Sequence, residues 1–194
     1  ALGDRLVIDT GAGPLACGVA LAADGTVAAV TVAMGRPRLT RGEVPATGPA
    51  DERWIDGAIA IPGDPAGERR LTAVSMGNPH AVVFVDDGVL AGLDLSVAPV
   101  WAPASAFPNG VNVEFVHVDG PGALSMRVYE RGVGETRSCG TGVVASAAAY
   151  RAASDHEGPV RVTVPGGELT VDFDGDNARL TGPAVIVGRG EFWI

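Results

Sequence analysis

The spacing of apolar and polar positions changes along the 194 residues, and each change marks an element. Residues 5–10 (RLVIDT), 15–21 and 26–33 (TVAAVTVA) are β-branched runs separated by GAGP and by an Asp24-Gly25 turn, which predicts strands and a hairpin forming a β-meander. From Arg36 to Asp51 the text becomes rich in Pro, Gly and polar residues, so a connection or linker is expected near residues 38–50. Apolar or alternating runs return at residues 70–75, 81–85, 111–118 and 123–129, predicting four further strands. The one long helical signal is GTGVVASAAAYRAAS, residues 140–154, which is Ala-rich, free of internal Pro and entered directly after Cys139.

Two stretches resemble each other. Residues 5–37 read RLVIDTGAGPL, a DG turn and MGRP; residues 161–183 read RVTVPGGELTV, a DG turn and LTGP. Each has a strand, a Gly-rich corner, a hairpin and a Gly near a Pro, so an internal repeat is expected. In the second copy the meander follows Cys139 and its helix, whereas nothing precedes the first. Aligning Leu15 with Leu169 would put a counterpart of Cys139 roughly 15 residues before Ala1. The expectation is therefore that the front of the first copy is missing from this chain.

Composition narrows the function classes. A formal net charge of -9 without a basic run argues against a nucleic-acid partner, because phosphate binding needs clustered Lys and Arg. No stretch approaches the ~20 apolar residues of a membrane-spanning helix, so no membrane association is expected. Two cysteines are too few for a disulfide framework and the start does not resemble a signal peptide, which points to a reducing, cytoplasmic setting. An acidic substrate would need local Arg side chains or backbone N–H groups.

Candidate chemistry gathers around Cys139. A thiol at the start of a helix faces unsatisfied N–H groups and the positive end of the helix dipole, which should lower its pKa. The same N–H groups, uncovered by Gly140 and Gly142, can hold a carboxylate. A base beside a carboxylate cradle is what removing the α-proton of an amino acid requires. Taken alone, a small buried cysteine with glycines that permit close helix packing reads equally as structure. Arg131 can grip a carboxylate with two hydrogen bonds, and Glu130 can accept from an ammonium or a thiol, although an adjacent Glu and Arg are ordinarily a solvated pair. MGNPH (residues 76–80) offers Asn78 and His80, and FPNGVNVEF (residues 107–115) offers Asn112. Asn-Pro is also a turn signal, and Asn112 could serve only backbone groups.

Together GNPH, FPNGVNVEF and ERGVGETRSCGTG (residues 130–142) closely resemble three signature blocks of the diaminopimelate epimerases, in the family's order and approximate spacing. The likeness extends from about residue 5 to the C-terminus. CGTG alone also occurs in the related proline racemases, so the preceding ERGVGET, with Asn78 and Asn112, decides. The resemblance implies an α+β fold of two pseudo-symmetric domains, each a sheet wrapped around a central helix. By that analogy residues 1–40 are the end of the first domain, 41–183 the second domain and 184–194 a strand returning to the first.

The same resemblance implies a cofactor-independent isomerase with no metal, interconverting LL- and meso-diaminopimelate on the route to lysine and peptidoglycan precursors. Inversion without a cofactor needs a base on each face of the carbon, supplied as one cysteine from each domain. Cys139 would be one acid/base, with Glu130 and His80 tuning the thiols. Gly140 and Thr141 would bind the reacting carboxylate; Asn78, Asn112 and Arg131 would hold the distal end, with Glu130 contributing. The full-length protein would be a homodimer, and its own upstream segment a partner of this chain. Cys17, in PLACGVAL, reads as an apolar strand residue with no following helix, so it is not taken as the second base. This chain by itself is expected not to epimerise. The alternatives are a proline or hydroxyproline racemase-like enzyme and a catalytically idle binding or assembly domain of the same fold.

Overall fold

The computed structural model describes residues 5–11, 13–62, 64, 66–188 and 190–191. The three amino-terminal runs form β1 (Arg5–Thr10), β2 (Gly13–Leu21) and β3 (Val27–Gly35), an antiparallel meander. Residues 36–56 contain neither strand nor helix. They are tied to the body by isolated bridges, Arg38 to Ser75 and Thr40 to Arg53. Then come β4 (Gly57–Ala60), β5 (Glu68–Ser75), β6 (Pro79–Phe84), the short helix α1 (Asp87–Gly92), β7 (Asn112–Gly120), β8 (Ala123–Glu130) and β9 (Gly134–Thr136). The long helix α2 spans Gly140–Ser154, the residues its sequence predicts. A second meander follows as β10 (Val160–Val164), β11 (Gly167–Asp174) and β12 (Asn177–Gly182).

Among the described residues twelve strands share one sheet, in the order β1-β2-β3-β12-β11-β10-β8-β7-β6-β5-β4, with β9 added beside β8. The pairs β6–β7 and β8–β10 are parallel, and α2 is the crossover of the second. Along this path helix α2 touches β12, β11, β10, β7, β6 and β5. A run of neighbouring strands that reaches one helix from β12 through to β5 has curled around it. That enclosure explains the helix sequence: all residues from Gly142 to Tyr150 are buried, so none can be polar without a partner and most must be small. The exception, Ser146, turns its hydroxyl back to the Gly142 carbonyl at 2.8 Å. Asp155 ends the helix in a left-handed conformation, its N–H donating to the Arg151 carbonyl.

The second face of the same strands is covered too. Leu71, Ala73, Ala81, Val83, Val113 and Phe115 pack with Trp54, Trp101 and Phe107, whereas Val74, Val82 and Val116 join α2. Strands buried on both faces read as near-continuous apolar runs, which is why β5, β6 and β7 were legible in the sequence. The two meanders meet where β3 pairs antiparallel with β12, as a local two-fold would arrange two copies of one unit. Thr31 lies opposite Thr181 on this seam, with their hydroxyl oxygens 2.8 Å apart.

Three elements escaped the sequence reading. Strand β4 is four residues long and β9 three, and α1 is a six-residue turn, all too short for a period to register. The expected strand over 184–194 does not form in the described part, residues 184–188 and 190–191; residues 189 and 192–194 lie outside the described residues. A strand needs an edge to bond to, and none of the twelve strands pairs with this run. Val185, Ile186 and Val187 stand exposed instead.

Because α2 is enclosed, Ala147→Leu should overpack the core and lower the unfolding free energy by about 1–3 kcal/mol. Denaturant titration monitored by far-ultraviolet circular dichroism checks this; an unchanged midpoint would show that the sheet does not close on the helix.

Candidate active site

The chain segments singled out by sequence converge on the amino-terminal end of α2. Parallel pairing of β6 with β7 sets His80 beside Asn112, and the register carries Glu114 opposite Val82. Residues two apart in a strand share a face, so His80, Val82, Asn112 and Glu114 all lie on the α2 side. Antiparallel pairing of β7 with β8 then brings Glu130 and Arg131 next to Asn112. The β9 excursion, GVGET, returns the chain to Cys139.

Cys139 is the N-cap residue of α2, in extended conformation, and its carbonyl accepts the first helical bond from Val143 N–H at 2.9 Å. The N–H groups of Gly140, Thr141 and Gly142 therefore precede the ladder and have no helical acceptor. Cys139 Sγ lies 3.5 Å from Thr141 Oγ1. Thr141 Oγ1 accepts from Asn78 Nδ2 at 3.3 Å, and Asn78 Oδ1 is 3.1 Å from His80 Nε2. His80 Nδ1 in turn sits 2.7 Å from Glu114 Oε1, with both side chains fully buried. A single run of contacts thus leads from Glu114 through His80, Asn78 and Thr141 to the sulfur.

The remaining candidates occupy the rim. Asn112 is buried and its Oδ1 accepts the Arg131 N–H at 2.8 Å, so half of its amide serves the backbone. The Arg131 guanidinium is exposed and donates to the Asn109 carbonyl at 2.8 Å. Glu130 is half-buried and accepts from the Thr136 hydroxyl. Cys17 is elsewhere: it lies in β2 opposite Leu6 and Val32, buried, outside the core cluster that contains Cys139. A cleft lined by Arg36, Arg53, Arg151 and Phe173 opens near the other end of α2 and includes none of these residues.

One sequence expectation is overturned. The thiol of Cys139 is pushed up from its ordinary value, not down. Burial is the largest cause, because it removes water from the thiolate, and the carboxylates of Glu114 and Glu130 add to it. The Thr141 hydroxyl and Gly142 N–H pull the other way and are outweighed.

Glu114 is the residue the sequence reading missed. Its signal was present, since an ionisable side chain between Val113 and Phe115 in a strand without polar alternation must have a buried partner. It also accounts for Gly142: a Cβ there would come within 2.6 Å of Glu114 Oε1. The second glycine of CGTG makes room for a carboxylate behind the helix as well as leaving its end uncovered.

With this geometry in place, the comparisons can be set beside it. The family model described as diaminopimelate epimerase matches residues 72–191. The chain belongs to the diaminopimelate epimerase family. The diaminopimelate epimerase of Geobacillus kaustophilus is 43% identical over 192 residues, covering 96% of this chain and 64% of the relative. That of Streptomyces coelicolor is 47% identical over 173 residues, covering 84% of this chain and 53% of the relative. The chain thus spans 64% and 53% of the length of these two family members, in each case less than two thirds. Among solved structures, a hydroxyproline epimerase from Agrobacterium vitis superposes with a TM-score of 0.65 at 20% identity, over 97% of this chain and 60% of that one. A phenazine-biosynthesis protein of the PhzF family from Bacillus anthracis gives 0.60 at 17% identity, over 100% and 70%. These two likenesses show a fold shared between the diaminopimelate epimerase family and other groups.

Two outcomes follow from the site. Alkylation of Cys139, read by peptide mass, should reach half-maximal rate at a higher pH than in an unfolded peptide of the same sequence; Thr141→Val should slow it at about pH 8 by two- to tenfold, roughly one hydrogen bond. Gly142→Ala should cost about 1–3 kcal/mol in denaturant titration, with Glu114→Ala restoring part of the loss in the double variant.

Proposed function

We propose that these residues form one face of a two-base amino-acid epimerase site acting on diaminopimelate. The observation that carries this reading is the thiol of Cys139 set beside helix N–H groups that have no helical acceptor. Those of Gly140 and Thr141 would bind the α-carboxylate, putting the α-carbon against the sulfur. As thiolate, Cys139 takes the α-proton from this face; as thiol, it delivers one when the reaction runs in reverse. The raised thiol fits the second duty at neutral pH, and a bound ammonium beside the sulfur would favour the first.

The distal amino-acid head would meet Asn78, the free amide nitrogen of Asn112, Arg131 and Glu130. A site that requires a second polar head rejects simple amino acids, because its buried groups would be left unpaired. His80 and Glu130 would tune the thiol. No metal or organic cofactor enters this reading. The opposing acid is not Cys17, which packs in the first meander, and would come from residues outside the 194. We further propose that residues 1–40 and 184–194 belong to a domain completed by such residues, with 41–183 the second domain, and that the complete protein is a cytoplasmic homodimer serving lysine and peptidoglycan-precursor synthesis. Among the described residues no helix is long and apolar enough to cross a membrane.

The test is binding and turnover with the 194-residue chain. LL- and meso-diaminopimelate should perturb the amide signals of Gly140 and Thr141 in NMR titrations, proline and hydroxyproline should not, and no epimerisation should be detected. Tighter binding of proline would favour the racemase reading. Turnover abolished by Cys17→Ser would overturn the assignment of the bases.

A further inference from the structure

The contacts from Glu114 to Cys139 have a direction, and the direction says where a proton sits. Asn78 presents Nδ2 to Thr141 and Oδ1 to His80. An amide oxygen can only accept, so His80 Nε2 must carry hydrogen. The other ring nitrogen lies 2.7 Å from a carboxyl oxygen in a fully buried contact. Either Nδ1 donates to a carboxylate or a carboxylic acid donates to Nδ1, and in both cases one further proton lies between Oε1 and Nδ1. At the far end, Thr141 Oγ1 already accepts from Asn78, which leaves its own hydrogen free to point at Sγ, 3.5 Å away.

We propose that Glu114 is a positioning residue: the buried Glu114–His80 pair holds one shared proton, keeps Nε2 a donor, and so directs the Thr141 hydroxyl hydrogen at the sulfur of Cys139. This rests on the reading of Cys139 as an acid/base and adds to it a residue that touches neither substrate nor sulfur. Were the pair to hold one proton fewer, the remaining hydrogen would stay on Nδ1 facing the carboxylate and Nε2 would become an acceptor. Asn78 would then have to turn its Nδ2 toward His80, and its Oδ1 would claim the Thr141 hydrogen. The sulfur would lose its donor. Proton content at one end of the run is thereby converted into hydrogen-bond polarity at the other.

Two features support the assignment beyond the distances. Glu114 Oε2 is buried with no hydrogen-bond partner, although fixed solvent-excluded carboxylates usually fill their acceptor sites; a carboxyl that shares a proton through its other oxygen has less need of them. Gly142 gives up its side chain where a Cβ would fall within 2.6 Å of Oε1, which preserves the carboxyl in this orientation. The groups that act on Cys139 are Glu114 from β7, Glu130 from β8, and Thr141 and the Gly142 N–H from α2 itself, with His80 from β6 reaching it through Asn78. As a local charge, Glu114 opposes the thiolate; through the run of hydrogen bonds it assists it. The two roles have opposite signs.

That opposition makes the experiment decisive. Nitrogen-15 NMR of the histidine-labelled chain at neutral pH should show His80 Nε2 protonated; a bare Nε2 beside a protonated Nδ1 would overturn the proposal, and this measurement needs no variant. For the variants, Cys139 alkylation is followed at about pH 8. Glu114→Val should slow it by about two- to tenfold, and Glu114→Gln, whose amide can still donate to Nδ1, should recover most of the rate. In a Thr141→Val background Glu114→Val should change the rate by less than about twofold. Faster alkylation in Glu114→Val, or equal effects in both backgrounds, would show that Glu114 acts as a nearby charge or as packing and sink the proposal. No substrate is used, so this outcome is independent of whether diaminopimelate is the ligand.

Discussion

The structure depends on burying one helix whose side chains are mostly small. Helix α2 lies inside a curled sheet, in contact with strands from β5 to β12, and an Ala- and Val-rich sequence is what that enclosure permits. Close approach of sheet and helix has a consequence at the one place where the helix begins. His80, Asn112 and Glu114 are buried there as polar residues among apolar neighbours. The site is a by-product of tight packing, completed by leaving Gly140 and Gly142 bare.

At the sulfur, two effects of comparable kind compete. A helix terminus offers partial positive charge and N–H donors, worth a fraction of a kcal/mol to about 2 kcal/mol. Loss of water around a thiolate and the presence of two carboxylates cost more here, and the thiol is favoured. Under the proposed two-base reading, in which the thiol acts as acid in one direction and base in the other, neither extreme would be useful. What the structure supplies is a set of opposed influences, any of which a bound cationic or anionic substrate could rebalance.

Much of this was legible before any coordinates, for identifiable reasons. Helix α2 announced itself through fifteen residues of consistent composition, and the meanders through β-branched runs with DG turns. The site residues were legible because Asn78, Cys139, Thr141 and Arg131 sit at turns and element ends, where polar residues in short blocks stand out. Glu114 was not, because it lies inside a strand and its meaning comes only from pairing with β6, a relation between distant segments. The thiol's direction was misread for a similar cause: dipole and N-cap position are local properties, while burial and the Glu130 carboxylate are supplied by other strands. The contact of the Arg131 guanidinium with the Asn109 carbonyl depends on loop geometry that sequence does not encode locally.

The β3–β12 seam has a bearing on how the chain is made. Strand β3 leaves the ribosome about 140 residues before β12, the separation of their positions in the chain, yet each is the other's neighbour. Until residues 177–182 emerge, the partly apolar edge of β3 waits with unpaired backbone groups, open to bonding with any other extended chain. Thr31 on that edge, which ends up facing Thr181, keeps a hydroxyl on a surface that is otherwise Val and Ala. The order of strands in space therefore leaves an open edge during synthesis that the arrival of β12 closes.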